Sequence, residues 1–124
     1  MMTNIYFWIN ALLYFLFALW CTVRKEQTSM ASGFTEINNS GWSEYLVIYG
    51  GLQLGLAAFF VYLAIHGEFY KIGLIFSLFL YFPIVIFRLI SIYKFWPIST
   101  TTMVVGGMEI ILLIWAFALL FLKK

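Results

Sequence analysis

Charged residues are scarce in this sequence. Only 10% of the 124 residues are Asp, Glu, Lys or Arg, whereas 65% are hydrophobic, and the mean hydropathy is +1.00. A soluble domain is about half apolar and about a quarter charged, and a short chain leaves much of its surface exposed. The composition therefore excludes a soluble fold and indicates that lipid surrounds most of the chain. The net charge of +2 supplies no basic stripe, so we expect no nucleic-acid partner.

Cysteine and N-terminal basic residues are also nearly absent. The single cysteine, Cys21, excludes an internal disulfide and lies in an apolar run, where a small buried side chain is expected. No Lys or Arg precedes the first apolar run, and the pair Arg24-Lys25 follows it. A cleaved signal peptide has its positive charge before a shorter apolar core. We therefore expect a retained first helix.

Four apolar segments dominate what is present. Each is close to the ~20 residues that cross a ~30 Å hydrocarbon core, and each must be helical because unpaired backbone groups are costly in lipid. The predicted fold class is all-α, a polytopic membrane protein whose four transmembrane helices form one bundle. We assign a single domain over residues 1–124, with helices at about residues 4–23, 45–65, 72–93 and 103–122.

The connections and the helix ends carry further signals. Residues 24–43 form the only sizeable polar segment, and a short amphipathic turn is predicted near Phe34 and Ile37. The hydroxyl residues from Ser99 to Thr102 offer caps for the fourth helix. Interfacial aromatic residues predict a belt on one membrane face, formed by Trp42, Tyr45, Tyr93, Phe95 and Trp96.

The basic residues near the spans give only a slight indication of orientation. Four spans place both termini on one side, with Lys71, Lys123 and Lys124, while Arg24, Lys25 and Lys94 lie on the other. The three-to-three tie is resolved here by Lys123-Lys124, which directly follows a span, so we expect both termini in the cytoplasm.

Two ionisable residues lie inside the predicted spans, where such groups are rare and usually face the bundle interior. Arg88 lies six residues before Lys94, and Glu109 lies seven residues after Thr102. At 1.5 Å per residue, both lie roughly 9–10 Å from the same connection. Because their helices are antiparallel neighbours, the two side chains are predicted to meet at one depth.

Two residues of the second helix, and Glu44 just before it, extend this prediction. Gln53 lies nine residues after Glu44, at the same membrane side as the Arg88 end of helix three, and Tyr49 lies one turn before Gln53. Together with the charged pair they predict one intramembrane polar pocket, formed by Glu44, Tyr49, Gln53, Arg88 and Glu109.

Structural interpretations of the same residues stay open. Arg88 and Glu109 can form an ion pair that only fixes helix register, and Arg88 can instead extend towards the headgroups. The glycines are predicted to serve helix packing, because small residues let membrane helices approach closely. They are Gly50, Gly51, Gly55, Gly106 and Gly107.

One family resemblance is carried by residues of the last three helices. Residues 44–124 contain Glu44-x4-Tyr49-Gly50-Gly51-Leu52-x2-Gly55, then Arg88-Leu89, then Glu109. This segment resembles the DUF4345 family of small bacterial membrane proteins, which is similar in its four-helix layout to DoxX-like proteins. The resemblance implies the fold, the polar residues and a bacterial inner membrane, but no reaction.

Two functional hypotheses follow. The first is an accessory or structural subunit of a membrane complex, without catalytic residues, metal or cofactor, whose partners are membrane lipids and either other subunits or further copies of itself. The second is a lipid- or quinone-binding protein or membrane enzyme, in which Arg88 anchors an anion and Glu109 acts as acid or base. A transporter is less favoured, because no inverted repeat is visible.

Overall fold

The structure is a computed structural model that describes residues 1–122, and every regular element in that range is helical. Four helical segments are long and apolar enough to cross a membrane. They are Met2–Val23, Asn39–Ile65, Gly67–Phe95 and Thr100–Phe121. The predicted fold class, all-α with four membrane-spanning helices, is therefore confirmed.

The four segments, together with the connection between the first two of them, contain six α-helices. They are α1 (Met2–Val23), α2 (Lys25–Ala31), α3 (Asn39–Tyr45), α4 (Gln53–Ile65), α5 (Tyr70–Phe95) and α6 (Thr100–Phe121). A π-helical segment, Leu46–Leu52, joins α3 to α4, and a 3₁₀ turn, Gly67–Phe69, precedes α5. The second span thus contains three consecutive elements in one continuous helix.

Capping side chains explain where two of the helices begin. Asn38 accepts a hydrogen bond from the backbone N–H of Gly41 at 2.8 Å, so the second span begins six residues before the apolar run that was used to predict it. Ser99 accepts from the N–H of Thr102 at 3.3 Å, which confirms the predicted hydroxyl cap of α6.

The polar connection between the first two spans differs from its prediction. Its helical part is α2, which precedes Phe34, whereas residues 34–38 are irregular. The predicted turn near Phe34 and Ile37 is therefore wrong in position. The apolar residue Phe34 does not belong to a helical turn but packs its ring edge-on against Tyr45 and Tyr49.

The chain divides into two compact units, one comprising Thr3–Gly67 and the other beginning at Glu68. In the first unit, α1 packs against α4 through aromatic rings. Phe60 lies 5.8 Å from Tyr14, nearly parallel to it, and 6.1 Å from Phe7, measured between ring centroids. The Asn4 amide also donates to the carbonyl of Ala64. The single domain over residues 1–124 stays a prediction.

The second unit is an α5–α6 pair with a marked division between buried and exposed faces. Buried residues of α5 are Gly73, Leu74, Ser77, Tyr81 and Val85, and after Leu74 they recur at intervals of three and four. On α6 they are Gly106, Leu112, Ala116 and Leu119. This period is that of a helix with one packed face, and Arg88 and Glu109 fall on these faces.

Candidate functional site

Arg88 and Glu109 form a two-point ion pair between α5 and α6. Nε of Arg88 donates to Oε2 of Glu109 at 3.0 Å, and Nη2 donates to Oε1 at 2.7 Å. Parallel bonds of this kind are among the strongest that side chains form, because both groups are charged and their planar shapes match. The side chains are 27% and 15% exposed. The prediction that these two residues meet is confirmed.

Gly106 gives the arginine side chain room to reach its partner. A Cβ placed on Gly106 would lie 3.2 Å from Cγ and 3.3 Å from Cδ of Arg88. The aliphatic part of Arg88 therefore packs directly on the α6 backbone, one turn before Glu109. The predicted close approach is thus present at Gly106.

Gly50 is the second of the five predicted packing glycines that has a close neighbour, since a Cβ there would lie 2.8 Å from Oγ1 of Thr22. The remaining three packing glycines behave differently. A Cβ placed on Gly51, Gly55 or Gly107 meets no atom within 4 Å. Within the part of the chain that the structure describes, these positions are not points of close packing, so their role in helix packing stays a prediction.

The other predicted pocket residues lie in the first unit. Glu44 is exposed near the end of α3, whereas Tyr49 and Gln53 are half-buried. Tyr49 stacks on Tyr45, with ring centroids 4.6 Å apart and an interplanar angle of 19°. The convergence of Glu44, Tyr49 and Gln53 with the ion pair stays a prediction.

An aromatic cluster in the first unit was not anticipated. Tyr45, which was expected in an interfacial belt, is only 5% exposed, and its hydroxyl lies 2.7 Å from Oγ1 of Thr28. Trp42 packs edge-on against Tyr45, and the ammonium of Lys25 lies 4.9 Å from the Trp42 ring centre. We refer to Phe34, Trp42, Tyr45 and Tyr49 as the aromatic cluster. Tyr45 therefore does not belong to the belt, because α2 supplies its hydroxyl with a partner.

The π-helical segment passes through this cluster. Leu46–Leu52 contains Tyr49 and the pair Gly50-Gly51. π-Helical turns are rare and often mark functional positions. Glycine has a low α-helix propensity, so the adjacent Gly50 and Gly51 favour a departure from regular α-helix at this place. This glycine pair is the feature of the sequence that points to the irregular turn.

Two polar residues inside the apolar spans were also overlooked. Asn10 and Ser77 are fully buried. Asn10 donates to the carbonyl of Tyr6 at 2.8 Å, and Ser77 donates to that of Gly73 at 2.9 Å. Both bonds return to the residue four positions earlier in the same helix, which is how small polar side chains are accommodated in lipid. Their position in mid-span was the available signal.

The described residues contain no cluster of potential metal ligands. Among residues 1–122, no three His, Cys, Asp or Glu side chains lie close enough together to hold a metal ion. His66 stacks on Tyr62, with ring centroids 4.2 Å apart, and its Nδ1 lies 2.9 Å from the Tyr62 carbonyl oxygen. This imidazole therefore packs against the end of its own helix.

Four spanning helices with a charged pair held between two of them define the class of this chain, an integral membrane protein. No family model, curated protein or solved structure matches the sequence. The resemblance to the DUF4345 family accordingly stays a prediction.

Proposed function

We propose that the protein is a small non-catalytic subunit that packs against other helices in a membrane complex. The observation that carries this proposal is an exposed stripe of small residues on the second span. Gly51, Gly55 and Ala58 are all exposed, and a Cβ on either glycine would meet open space. The stripe therefore offers helix backbone that no other part of the described chain covers closely.

The spacing of the small residues and the free-energy cost of glycine in a helix both favour a partner helix at this stripe. Residues four and three apart share one side of a helix, and small residues there let a second membrane helix approach closely. Glycine in a helix costs about 1 kcal/mol relative to alanine. Close contact with a partner helix offsets that cost, whereas Gly51 and Gly55 gain no close contact within the described chain. The partner is an apolar membrane helix, supplied by a second copy or by another subunit.

Leucine substitutions at the stripe test this proposal. We expect the wild-type protein, purified in mild detergent, to have a protein mass above the 14.4 kDa of one chain. Gly55→Leu should shift that mass to a single chain, because the leucine blocks close approach. Gly107→Leu is the matched control, since Gly107 also faces open space, and it should leave the assembly intact.

A wild-type protein that is monomeric under these conditions, with no co-purifying membrane protein, would refute the subunit proposal. An assembly that resists Gly51→Leu and Gly55→Leu would place the interface elsewhere and remove the observation on which the proposal depends. Mass determination by light scattering separates a homo-oligomer from a complex with another subunit, because only the former has a multiple of one chain mass.

A second candidate function is lipid or quinone binding, or catalysis on such a molecule, at Arg88 and Glu109. The favouring observation is that both members of the pair keep partial exposure within a membrane span. A polar headgroup at that depth would find a cation and a carboxylate side by side. Arg88 would hold an anionic group, and Glu109 would accept or donate a proton.

Paired substitutions separate this candidate from a purely structural ion pair. Replacing both residues together, as Arg88→Leu with Glu109→Leu, removes the charges without leaving either one unpaired. Mass spectrometry of the purified wild-type protein would identify any lipid or quinone that remains bound. If the pair binds that molecule, the double variant should fold but lose it. Unchanged bound lipid, lipid profile and growth would exclude the candidate.

A further inference from the structure

The connection between the first two spans ends in an exposed segment with the pattern of an N-glycosylation acceptor. This pattern is Asn-x-Ser/Thr, in which x is any residue except proline, and the chain has Asn38-Asn39-Ser40. All three residues are exposed, and so are residues 32–36 before them. A sugar on an asparagine is bulky and hydrophilic, so an acceptor must lie on an exposed polar segment. This connection meets that requirement.

The backbone at Asn38 has a conformation that a transferase groove can bind. Residues 34–38 are irregular, and Asn38 is extended, with φ −80° and ψ −179°. Alternate side chains of an extended chain point to the same side. Ser40 lies in the first turn of α3, and the ends of helices open at little cost in free energy. A segment held extended therefore presents Glu36, Asn38 and Ser40 on one face, with the motif's hydroxyl beside the asparagine amide.

The capping bond of Asn38 is compatible with an attached sugar. Oδ1 of Asn38 accepts the hydrogen bond from the N–H of Gly41 at 2.8 Å, whereas a sugar would be joined to Nδ2. The linkage keeps the amide carbonyl, so Oδ1 remains an acceptor after the reaction. Because the side chain is exposed, the folded protein has space for the sugar. The modified asparagine can therefore still begin α3.

Asn38 also lies outside the hydrocarbon core. Helix α3 (Asn39–Tyr45) separates it from the apolar part of the second span, which at 1.5 Å per residue is about 10 Å. The headgroup layer on each side is about 5–7 Å thick, half of the difference between the ~30 Å core and the ~40–45 Å bilayer. The orientation expected from the sequence, with both termini in the cytoplasm, places this connection on the outer side. Glycosylation requires that side.

We propose that Asn38 is an N-glycosylation site, modified by a membrane oligosaccharyltransferase from an oligosaccharide carried on a lipid diphosphate. Nδ2 of Asn38 attacks the first carbon of the sugar, so an N–C bond forms and the C–O bond to the diphosphate breaks. The diphosphate leaves with the electron pair of that bond, and the proton lost from Nδ2 passes to a base of the transferase. The site is independent of the proposed subunit function, because it uses a connection and no spanning face.

Intact-mass spectrometry under denaturing conditions, on protein purified from its native membranes, tests the site. We expect a wild-type mass above the 14.4 kDa of the chain by the mass of one oligosaccharide, and fragmentation should locate it on Asn38. Ser40→Ala should abolish the added mass, because it breaks the motif, whereas Ser40→Thr should keep it. Asn39→Gln is the matched control, since it changes the neighbouring asparagine but leaves the motif intact, and it should remain modified.

The substitutions separate loss of the acceptor from loss of folding. Asn38→Gln removes both the acceptor and the cap of α3, whereas Ser40→Ala leaves Asn38 and its bond to Gly41 in place. Both variants should lack the oligosaccharide. A wild-type chain without added mass would overturn the inference, as would an oligosaccharide that persists in Ser40→Ala or is located on another residue. The denatured mass does not depend on assembly, so this result and that of the subunit proposal are distinguishable.

Discussion

Nη2 of Arg88 and Oε1 of Glu109 lie 2.7 Å apart, although 21 positions separate the two residues in the chain. One residue belongs to α5 and the other to α6, so the bond fixes the depth and rotation of one helix against the other. Most of the other side chains on the packed faces of the two helices are apolar, and apolar contacts alone tolerate small shifts in register. The ion pair therefore specifies one arrangement of these helices.

Removing one partner of this pair should destabilise the protein more than removing both. Glu109→Ala leaves the guanidinium of Arg88 without its carboxylate inside a span, and we expect a loss of about 3 kcal/mol in the free energy of unfolding. The double variant Arg88→Leu with Glu109→Leu should lie within about 1 kcal/mol of wild type, because no charge is left unpaired. Denaturant unfolding in detergent, followed by circular dichroism, measures both values. Additive losses would show that the two side chains do not act as a pair.

Gly106 and Gly107 are adjacent glycines with opposite surroundings, so the same substitution should give different results. Gly106→Ala places a methyl group 3.2 Å from Cγ of Arg88, so the arginine side chain must shift by a few tenths of an ångström, which strains its bonds to Glu109. Gly107→Ala meets no atom within 4 Å and gains helix propensity. We expect Gly106→Ala to be less stable than Gly107→Ala by at least about 1 kcal/mol in the same unfolding experiment. Equal stabilities would contradict the packing of Arg88 on the α6 backbone.

The start of the second span offers a comparison between two neighbouring asparagines. Asn38 caps α3, whereas Asn39 is the first residue inside the helix. Asn38→Ala should therefore cost about 1 kcal/mol, and Asn39→Ala should have little effect. Hydrogen exchange at the amide of Gly41, which Asn38 accepts from, gives a direct measurement. Faster exchange in the Asn39 variant than in the Asn38 variant would show that Asn38 is not the capping residue.

The sequence was sufficient to predict the spans and the ion pair for related physical reasons. Lipid requires continuous apolar helices, so hydropathy marks them, and a charge within a span must find a partner at its own depth. The positions of Arg88 and Glu109 relative to one connection were enough to predict their contact. The helix ends were less predictable, because Asn38 extends the second span through polar residues that hydropathy does not recognise as helical.

The aromatic cluster could not be predicted, because it depends on a connection that folds back. Tyr45 has the composition and position of an interfacial residue, and only the placement of Thr28 on α2 shows that its hydroxyl is paired. Likewise, Gly50 and Gly51 look equivalent in sequence. One faces Thr22 at close range and the other faces open space, and the difference is set by tertiary geometry.

The bond between Thr28 and Tyr45 yields a last prediction, about what anchors α2 to the second span. Oγ1 of Thr28 also lies 3.1 Å from the carbonyl oxygen of Arg24, to which it donates, so the Tyr45 hydroxyl is the donor in their shared bond. Thr28→Val removes the acceptor without changing shape and leaves the Tyr45 hydroxyl with the thiol of Cys21, a weaker partner, at an expected cost of about 1 kcal/mol.

Tyr45→Phe removes the donor instead. When it is combined with Thr28→Val, the total loss should be smaller than the sum of the single losses by at least about 0.5 kcal/mol, as expected for two residues in direct contact. Thr28→Ser keeps the hydroxyl and serves as the control, with stability close to wild type. Because the bond is the buried polar link between α2 and α3, loss of the acceptor should also increase proteolysis within residues 31–38. A strictly additive double variant, with unchanged proteolysis, would mean that α2 is held by its aromatic and apolar contacts alone.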